Sequence, residues 1–472
     1  MEQKKILIGG QWIKGGGSIT VSSPHSGEPL AEVASADANE LSQAVENSLS
    51  AAGEMRRLAR FETANGLRKL AAGIESRKTE FIDSIVAESA KPVRYARGEV
   101  NRAIATFSWA AGEAERSSGE VVPVDTQPPG RGKAAYTMRI PRGVIYGITP
   151  FNFPLNLVAH KVAPALASGN SIIIKPSDRT PLTSLLLGEV FMESGLPLAA
   201  LQVVPMDVKH IDAVYTDERI KMISFTGSAP IGWAIKAKAA KKFVTLELGG
   251  NAAVIVDETA DVEDSLKKSL VGAFAYSGQV CISVQRLYIH EKLFETWTSR
   301  FVEGAAKLKK GDPADEETQL NVMIDEAAAK RAEEWIGEAI DHGARLLCGG
   351  GRKGKMLDAA VLTNTTPEMK VVAEEAFAPL AVVEPFSRFE DAVEMANHGK
   401  YGLQAGVFSR DLGNVEYAAE NLEYGGVIIN DVPTFRVDNM PYGGVKDSGF
   451  GREGVRYAME EMTEPRLIVT QT

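Results

Sequence analysis

From residue 142 onward, short apolar segments alternate with helix-length segments, and this alternation constrains the fold more than any other feature of the chain. Continuous apolar runs of this length suit strands that are buried on both faces of a parallel sheet. The first five runs are residues 144–148, 172–175, 202–205, 222–225 and 244–248. Stretches between them, such as 182–194, have the length and composition of helices. The alternation predicts a doubly wound α/β domain.

A second alternating series begins after the glycine pair Gly249-Gly250. Its predicted strands are residues 252–256, 286–290, 381–386 and 427–430. Two series separated by a glycine pair predict two α/β domains with a cleft between them.

Residues 37–117 have a helical pattern instead. Asp37 and Glu40 have the spacing of a capping box, and apolar residues recur at helical spacing after them. The next segment, 118–141, contains several prolines and glycines that interrupt this pattern. Its composition fits a plain linker and an extended arm equally well.

The charge and the sparse cysteines exclude several classes of protein. A formal net charge of −10 argues against a nucleic-acid binder, which needs a basic face. The chain has no apolar run of about 18 residues and no apolar core of signal-peptide length at its start, so we expect no membrane span. The two cysteines, Cys281 and Cys348, are far apart and form no metal-ligand pattern. We therefore expect a cytoplasmic protein without a metal centre.

Cys281 and Glu247 form the candidate reactive pair. Cys281 lies in Gly-Gln-Val-Cys-Ile-Ser, and Glu247 stands 34 positions upstream in Glu-Leu-Gly-Gly. A deprotonated thiol is a strong nucleophile, and a carboxylate can act as a base for the thiol or for water. A lone cysteine more often simply packs in a core, so the pair needs support from other motifs.

An asparagine that could hold an oxyanion follows the first predicted strand. Asn152 lies in Thr149-Pro150-Phe151-Asn152-Phe153-Pro154, where two prolines restrict the chain. Its amide N–H could then point at one fixed position, as an oxyanion hole requires. An ordinary turn asparagine is the alternative.

Two further turns follow predicted strands and suit a nucleotide, because open α/β sheets bind ligands at the carboxyl ends of their strands. Lys175 and Asp178 close the second strand and could contact a ribose. The segment 225–232 runs from a strand through Gly227 and Ser228 into a helix, so its backbone N–H groups could bind a pyrophosphate. Each signal is weak alone, because turns between strands and helices are commonly rich in glycine.

Taken together and in order, seven motifs resemble those of the aldehyde dehydrogenase superfamily. They are Phe151-Asn152-Phe153-Pro154, Lys175-Pro176-Ser177-Asp178, Phe225-Thr226-Gly227-Ser228, Glu247-Leu248-Gly249-Gly250, Gly278-Gln279-Val280-Cys281, Glu375-Ala376-Phe377-Ala378-Pro379 and Pro441-Tyr442-Gly443-Gly444. The resemblance extends over effectively the whole chain. It implies the aldehyde dehydrogenase fold, with a Rossmann-like cofactor domain, an α/β catalytic domain and a β oligomerisation arm.

The resemblance also implies limits for these domains. The dinucleotide-binding domain would comprise residues 1–117 and 142–249, and the catalytic domain residues 250–446. The oligomerisation arm would comprise residues 118–141 and 447–472, which favours an arm over a plain linker. The family forms homodimers or homotetramers through this arm and a C-terminal strand, here 466–469.

By motif, the resemblance implies catalytic roles for Cys281, Asn152 and Glu247. Cys281 would attack the aldehyde carbon to give a thiohemiacetal, whose oxyanion Asn152 and the backbone N–H of Cys281 would hold. Hydride transfer to NAD(P) would leave a thioester, and Glu247 would activate the water that hydrolyses it. No metal is required. The residues implied for the cofactor are Thr149, Pro150, Phe151, Lys175, Ser177, Asp178, Gly227, Ser228, Gly232, Leu248, Gly249, Glu375 and Phe377.

Asp178 bears on the choice of cofactor. Family members that prefer NAD more often carry Glu at this position, since a carboxylate near the ribose repels a 2′-phosphate. NAD is therefore expected. The shorter Asp side chain weakens the repulsion and leaves NADP open.

The residues that would select the aldehyde are Arg102, His160, Val280 and Arg436. Val280 precedes the nucleophile, where an arginine would indicate a phosphate or phosphonate. Arg102 corresponds to a substrate-binding arginine of related semialdehyde and phosphonoacetaldehyde enzymes, although a solvated helix charge is an equal alternative. His160 opens the helix behind the oxyanion loop, where a structural histidine is the alternative. Arg436 belongs to the loop 430–444, which we expect at the substrate entrance.

The residues of this loop resemble the lactaldehyde, glycolaldehyde and phosphonoacetaldehyde subgroup, so we expect a short polar aldehyde that is oxidised to its carboxylic acid. Succinate semialdehyde is the rival substrate. Three other functions are weaker alternatives. CoA-acylating enzymes lack the glutamate found at Glu247, and a structural reuse of the fold would not need an intact Cys281. A Cys–His hydrolase would leave the nucleotide turns without a purpose.

Overall fold

Fifteen helices and twenty-five strands occur in residues 3–471, the part of the chain that the computed structural model describes. The helices are α1 (Ala38–Met55), α2 (Arg60–Ser76), α3 (Lys78–Ser89), α4 (Val93–Arg116), α5 (Asn156–Ala167), α6 (Leu182–Met192), α7 (Asp212–Thr216), α8 (Ala229–Lys238), α9 (Val262–Phe274), α10 (Glu291–Ala306), α11 (Glu326–Asp341), α12 (Lys370–Ala373), α13 (Phe389–Asn397), α14 (Leu412–Asn421) and α15 (Val455–Glu461). Met1, Glu2 and Thr472, at the ends of the predicted segments 1–117 and 447–472, lie outside the described residues.

The strands of the first half are β1 (Gln3–Lys4), β2 (Ile6–Ile8), β3 (Gln11–Ile13), β4 (Gly17–Ser22), β5 (Pro29–Ser35), β6 (Val121–Val122), β7 (Lys133–Pro141), β8 (Val144–Ile148), β9 (Ser171–Lys175), β10 (Leu201–Val203), β11 (Ile220–Thr226) and β12 (Phe243–Glu247). Those of the second half are β13 (Ala252–Val256), β14 (Val284–His290), β15 (Arg345–Cys348), β16 (Arg352–Lys353), β17 (Met356–Leu357), β18 (Ala360–Thr363), β19 (Leu380–Phe386), β20 (Tyr401–Gly402), β21 (Gln404–Phe408), β22 (Gly426–Ile429), β23 (Val445–Lys446), β24 (Gly449–Phe450) and β25 (Thr463–Gln471).

Eight strands form the first sheet, in the order β24-β12-β11-β8-β9-β10-β2-β3. Its five central strands, from β12 to β10, are parallel and correspond to the five apolar runs of the first series. Their carboxyl ends are in register, because Ile148 of β8 lies beside both Phe225 of β11 and Lys175 of β9. The turns that follow these strands therefore lie along one edge of the sheet.

Seven strands form the second sheet, in the order β15-β18-β19-β14-β13-β21-β22. All of its pairs are parallel except that of β15 with β18. The sequence predicts β13, β14, β19 and β22 but misses β15, β18 and β21. Both series thus form α/β sheets, and the predicted fold class is confirmed.

An extended arm follows α4, so the segment 118–141 is not a plain linker. β7 pairs antiparallel with β25 from Pro141, opposite Thr463, to Lys133, opposite Gln471, and β6 pairs with β7 as well. Within the predicted C-terminal part of the arm, 447–472, β25 is the strand that pairs with β7, while β24 joins the first sheet and α15 packs on α5 and α4.

The helical segment predicted at 37–117 is present as α1 to α4. Asp37 begins α1 with the predicted capping box: its carboxylate accepts the N–H groups of Asn39 and Glu40, and the Glu40 carboxylate accepts the N–H of Asp37. α4 packs against α2 on one side and α5 on another. It thereby links the N-terminal helices to the helix that follows the Asn152 loop.

A buried ion pair fixes the start of α5 against α4. Lys91 and Glu99 are both fully buried and form a salt bridge. The second oxygen of Glu99 accepts the N–H groups of Leu155 and Asn156, at 2.9 and 3.1 Å. The Lys91 ammonium lies 3.7 Å from the ring centroid of Phe153. One carboxylate therefore neutralises a buried cation and caps the helix behind Asn152.

We expect Glu99→Ala to lower the free energy of unfolding by about 3–5 kcal/mol, because it leaves the Lys91 charge and two backbone N–H groups without partners. Glu99→Gln should cost less, since the amide oxygen still accepts both N–H groups. The double variant Lys91→Met, Glu99→Gln should recover part of the loss because no buried charge remains. Urea denaturation measures all three. Equal stability of Glu99→Gln and the double variant would show that the unpaired Lys91 charge does not lower the free energy of unfolding.

Candidate active site

Two glycines join the sheets and bring the candidate catalytic residues together. β12 ends at Glu247 and β13 begins at Ala252, so only four residues connect them. A Cβ atom on Gly249 would lie 2.3 Å from Oε2 of Glu375, and one on Gly250 would lie 2.2 Å from the carbonyl oxygen of Cys281. Gly250 also donates its N–H to Oε1 of Glu375 at 3.0 Å. Only glycine permits this close approach.

A left-handed turn carries Cys281 to this junction. Tyr276, Ser277 and Gly278 follow α9 with φ angles of 50°, 54° and 70°. Such angles are rare for residues other than glycine and need support from tertiary contacts. The Tyr276 hydroxyl donates to the carbonyl of Ser89 at 3.0 Å, and a Cβ on Gly278 would lie 2.0 Å from the carbonyl oxygen of Ala378. The turn is thus held on both sides.

Asn152 is tied to the same turn. The residue is buried, and its amide Nδ2 donates to the carbonyl of Gln279 at 3.0 Å, two residues before Cys281. Its Oδ1 is buried without a partner. An amide nitrogen carries two hydrogens, so the second one is left for an oxygen placed beside Cys281. This geometry suits an oxyanion site.

The Cys281 thiol has one hydrogen-bonding neighbour among the described side chains, Tyr442. The Sγ–Oη distance is 3.1 Å. Burial raises the pKa of the Cys281 thiol to about 11, while the hydrogen bond with Tyr442 and the charge of Arg436 act in the opposite direction. The thiol is therefore protonated at neutral pH in this state. Cys348, the other free cysteine, contacts only the carbonyl of Ala359, at 3.8 Å, and packs against the second sheet.

Two buried carboxyls near this thiol have opposite character. Burial, and secondly the charge of Glu453, raise the pKa of Glu247 well above its ordinary value, and its Oε2 has no partner. Burial also acts to raise the pKa of Glu453, but the charges of Lys161 and Arg436 outweigh it and hold this pKa at about 2. Glu453 is therefore ionised, whereas Glu247 is poised to exchange a proton.

The predicted dinucleotide residues lie along the carboxyl edge of the first sheet. Lys175 donates to Oδ1 of Asp178 at 2.8 Å, and Ser177 and Asp178 are half-buried. Ser228 precedes α8, and no side chain caps that helix, so the N–H groups of its first turn are left for a ligand. Gly232 packs so closely on Leu248 that a Cβ would lie 2.4 Å from Cδ2 of Leu248. Gly227 joins the end of β11 to this helix and donates its N–H to the carbonyl of Glu247 at 3.0 Å. These features fit a dinucleotide.

The residues predicted for the nicotinamide side also lie together. The rings of Phe151 and Phe377 contact each other edge to face, with centroids 6.0 Å apart. Glu375 adjoins the Gly249–Gly250 junction, as described above. Thr149, followed by Pro150, is buried at the end of β8, and its hydroxyl has no partner. An unpartnered hydroxyl at this sheet edge suits a ligand.

Two of the predicted substrate residues converge on one carboxylate. Arg102 and His160 each reach Oδ1 of Asp438 at 2.8 Å. Burial, and secondly the charge of Arg436, lower the pKa of His160, so the ring is neutral at neutral pH. Arg102 is therefore neither a free surface charge nor isolated from the loop 430–444, which carries Asp438.

The other two predicted substrate residues lie nearer the thiol. The guanidinium of Arg436 donates to Glu453 at 2.9 Å and lies 3.7 Å from the ring centroid of Tyr442. Val280 packs with Ile282 and Tyr442 in a small apolar cluster next to Cys281. Arg436 is thus part of a buried charge network as well as of the predicted entrance loop.

Sequence reasoning assigns no role to Tyr442, Glu453, Lys161 or Asp438. Lys161 donates to Thr226 at 2.7 Å and to Glu453 at 3.3 Å. One signal exists for it: α5 is apolar and entirely buried, so His160 and Lys161 within it require polar partners. Their charged partners, Asp438 and Glu453, lie more than 270 residues away in sequence and have no such signal.

Fold and site together are typical of an oxidoreductase class: α/β proteins with a sheet edge that suits a dinucleotide and a half-buried thiol beside it. In residues 3–471, no cluster of three or more His, Cys, Asp or Glu side chains is arranged to hold a metal ion. None of the described helices has the length and hydrophobicity that crossing a membrane requires.

Comparisons with known proteins identify the family. The sequence model of the aldehyde dehydrogenase family matches residues 12–468. The 3-sulfolactaldehyde dehydrogenase of Priestia megaterium is 40% identical over 470 residues, which cover 99% of this chain and 98% of that protein. The chain belongs to the aldehyde dehydrogenase family.

Solved structures agree with this assignment. Aldehyde dehydrogenase 21 from Physcomitrella patens, crystallised in complex with the reaction product succinate, has a TM-score of 0.98 and 41% identity, with 100% of this chain and 98% of that chain covered. The glyceraldehyde-3-phosphate dehydrogenase of Methanocaldococcus jannaschii, complexed with NADP, has a TM-score of 0.92 and 36% identity, with 96% and 99% covered. The protein is an NAD(P)-dependent aldehyde dehydrogenase that oxidises a small aldehyde to the acid. The alternative of a structural protein without catalytic activity is therefore excluded.

Gly250→Ala should disable the enzyme, because the added Cβ would collide with the Cys281 carbonyl and shift the backbone of the thiol. We expect kcat/KM for aldehyde oxidation to fall about 100-fold and stability to fall by about 1–3 kcal/mol.

Gly98→Ala on α4 is the matched control. Nothing lies within 4 Å of the added methyl group, so activity should be unchanged and stability equal or slightly higher. Wild-type activity in Gly250→Ala would mean that the crowded junction does not position Cys281.

Proposed function

We propose that this enzyme oxidises a short aldehyde with an anionic end group, by way of a thioester on Cys281 that water hydrolyses. The carrying observation is an ion-pair network in which cations outnumber carboxylates and which reaches the thiol through Arg436. Arg102, Arg436 and Lys161 form salt bridges with only two carboxylates, Asp438 and Glu453. Since Glu247 is neutral when protonated, an anionic substrate would balance the site.

Both arginines keep unused donors for such a group. Arg102 bonds Asp438 through Nε and Nη2 only, and 29% of its side chain is exposed. The Nε of Arg436 is buried without a partner. Arginine binds carboxylate, sulfonate and phosphate groups through paired N–H donors. We therefore assign substrate binding to Arg102 and Arg436, with His160 as the group that orients Asp438.

Three of the relatives, those named above, support an anionic substrate. Their names refer to 3-sulfolactaldehyde, to succinate and to glyceraldehyde 3-phosphate, each of which carries an acidic group in addition to the reacting carbon. Val280, a small apolar residue beside the nucleophile, leaves space for a short carbon chain between the anion and the aldehyde.

In the proposed reaction, Cys281 attacks the aldehyde carbon after its thiol loses a proton. The backbone N–H of Cys281 and the free hydrogen of Asn152 Nδ2 hold the resulting oxyanion. Bound NAD(P) supplies the hydride acceptor. Glu247 then takes a proton from a water molecule, which attacks the thioester and releases the acid and the free thiol. The raised pKa of Glu247 suits this step better than that of an ordinary carboxylate, and its presence favours water over CoA.

For the cofactor, we propose that Lys175 and Asp178 contact the adenosine ribose, that the N-terminus of α8 at Ser228 binds the pyrophosphate, and that Glu375 contacts the nicotinamide ribose. Ser177 and Gly227 belong to the same turns, and Thr149, Pro150, Phe151, Leu248, Gly249 and Phe377 adjoin the nicotinamide. Asp178 favours NAD. Its ion pair with Lys175 partly neutralises the carboxylate and so weakens the repulsion of a 2′-phosphate. The same turn can therefore also bind NADP.

We further propose that residues 3–117 and 142–249 form the cofactor domain, with 250–446 as the catalytic domain, and that the arm joins subunits into a homo-oligomer. The arm exposes apolar side chains of β7 and β25, among them Met138 and Leu467. An exposed apolar strand pair is a surface that another subunit can cover. Two free cysteines are consistent with the reducing cytoplasm.

Glu247→Gln should separate the two halves of the reaction. Thiol attack and hydride transfer precede the step that needs the base, so a burst of about one reduced cofactor per site should persist while steady turnover falls about 100- to 10,000-fold. Cys281→Ala should abolish both phases. Rapid-mixing absorbance of the reduced cofactor measures them, and Cys348→Ala should leave both unchanged. Loss of the burst in Glu247→Gln would mean that Glu247 also deprotonates the thiol.

Arg102→Gln should discriminate between substrates. Because a charge-assisted hydrogen bond contributes about 1.5–3 kcal/mol, we expect KM for succinate semialdehyde or 3-sulfolactaldehyde to rise about 10- to 100-fold, with little change for a neutral aldehyde such as propanal. Arg97→Gln, an exposed arginine on the same helix paired with Glu316, is the control. Equal effects on charged and neutral aldehydes would exclude an anion contact at Arg102.

A further inference from the structure

Tyr442 has no role in the mechanism above, yet its hydroxyl lies 3.1 Å from the Sγ atom of Cys281. The residue is 3% exposed. A buried tyrosine hydroxyl ordinarily has a hydrogen-bonding partner, and here that partner is the thiol.

The surroundings hold the Tyr442 ring in place. The Arg436 guanidinium lies 3.7 Å from the ring centroid, which is a cation–π contact. The backbone of Tyr442 also forms a two-way bridge with Glu453: Tyr442 donates to the Glu453 carbonyl at 3.0 Å, and Glu453 donates back at 2.6 Å. Because ring and backbone are both fixed, the hydroxyl has a defined position relative to Sγ.

The direction of the hydrogen bond between Tyr442 and Cys281 follows from the acidity of the phenol and of the thiol. Burial, and secondly the neighbouring Cys281, raise the pKa of Tyr442 well above its ordinary value, so the site favours the neutral phenol. A thiolate has no hydrogen to give, and Tyr442 must then be the donor. The other charged groups that act on the thiol are Arg436, which favours the thiolate, and Glu375 and Glu247, which oppose it.

We propose that Tyr442 is a catalytic residue that donates its hydroxyl hydrogen bond to Sγ of Cys281 and stabilises the thiolate that attacks the aldehyde. The proton of the thiol passes to solvent water, because Tyr442 retains its own. This proposal rests on the proposed role of Cys281 as the nucleophile. The Tyr442 hydroxyl is then a neutral donor beside the sulfur, where the carboxylates of Glu375 and Glu247 would otherwise disfavour ionisation of the thiol.

Tyr442→Phe removes the hydroxyl and retains the ring under Arg436. The test is the rate of alkylation of Cys281 by iodoacetamide, without cofactor or aldehyde, over a series of pH values. Mass spectrometry of the Cys281 peptide separates this thiol from Cys348. Loss of one hydrogen bond to a charged group should move the midpoint up by about 1 pH unit and slow alkylation at neutral pH about 10-fold. Tyr457→Phe on α15 is the matched control and should leave the midpoint unchanged.

A second variant separates the hydrogen bond from the volume of the hydroxyl. 4-Methylphenylalanine at position 442 keeps the ring and fills the space of the hydroxyl but donates no hydrogen bond, so the midpoint should again move up by about 1 pH unit. This variant also decides the question if Tyr442→Phe does not fold. An unchanged midpoint in either folded variant overturns the proposal, and a lower melting temperature with an unchanged midpoint assigns Tyr442 a structural role only.

The same samples separate this proposal from the proposed function. Complete alkylation of Cys281 should abolish aldehyde oxidation. Activity that survives complete alkylation would remove Cys281 as the nucleophile, whatever the midpoint does. If alkylation abolishes activity but the midpoint is unchanged in Tyr442→Phe, Cys281 remains the nucleophile and the proposed role of Tyr442 is rejected.

Discussion

The close approach at Gly249 and Gly250 is the constraint on which the rest of the site depends. Four residues separate the last parallel strand of the first sheet from the first strand of the second. A methyl group on either glycine would collide with Glu375 or with the backbone of Cys281. The junction therefore fixes three things together: the end of the strand that carries Glu247, the turn that carries the thiol, and the carboxylate assigned to the cofactor. Neither sheet alone contains a complete site.

Around this junction, burial and charge give similar groups different properties. Glu247 and Glu453 are both buried, but of the two only Glu453 forms salt bridges with Lys161 and Arg436. Its carboxylate stays ionised and structural, while Glu247 has a raised pKa and a free oxygen. Arg102 and His160 are organised in the same way by Asp438. The site thus separates groups that hold charge from groups that exchange protons.

The sequence predicts the parts of this arrangement that local composition controls. Buried parallel strands are mostly apolar, so nine strands appear as short, mostly apolar runs. β21 is equally buried but has both Gln404 and Gly406 within five residues, and it is missed. The turn at Tyr276 and the convergence of Arg102 and His160 on Asp438 depend on contacts between residues far apart in sequence. No local pattern encodes such contacts, whereas the motif glycines and Cys281 are visible because their chemistry restricts the residue type.

The protonated state of the Cys281 thiol also affects how the protein withstands oxidants. Peroxide and other oxidants react with the thiolate rather than with the thiol. With a pKa of about 11, the thiol is ionised in roughly one molecule in ten thousand at neutral pH. The burial that keeps the thiol protonated therefore also protects the sulfur from irreversible conversion to sulfinic and sulfonic acids.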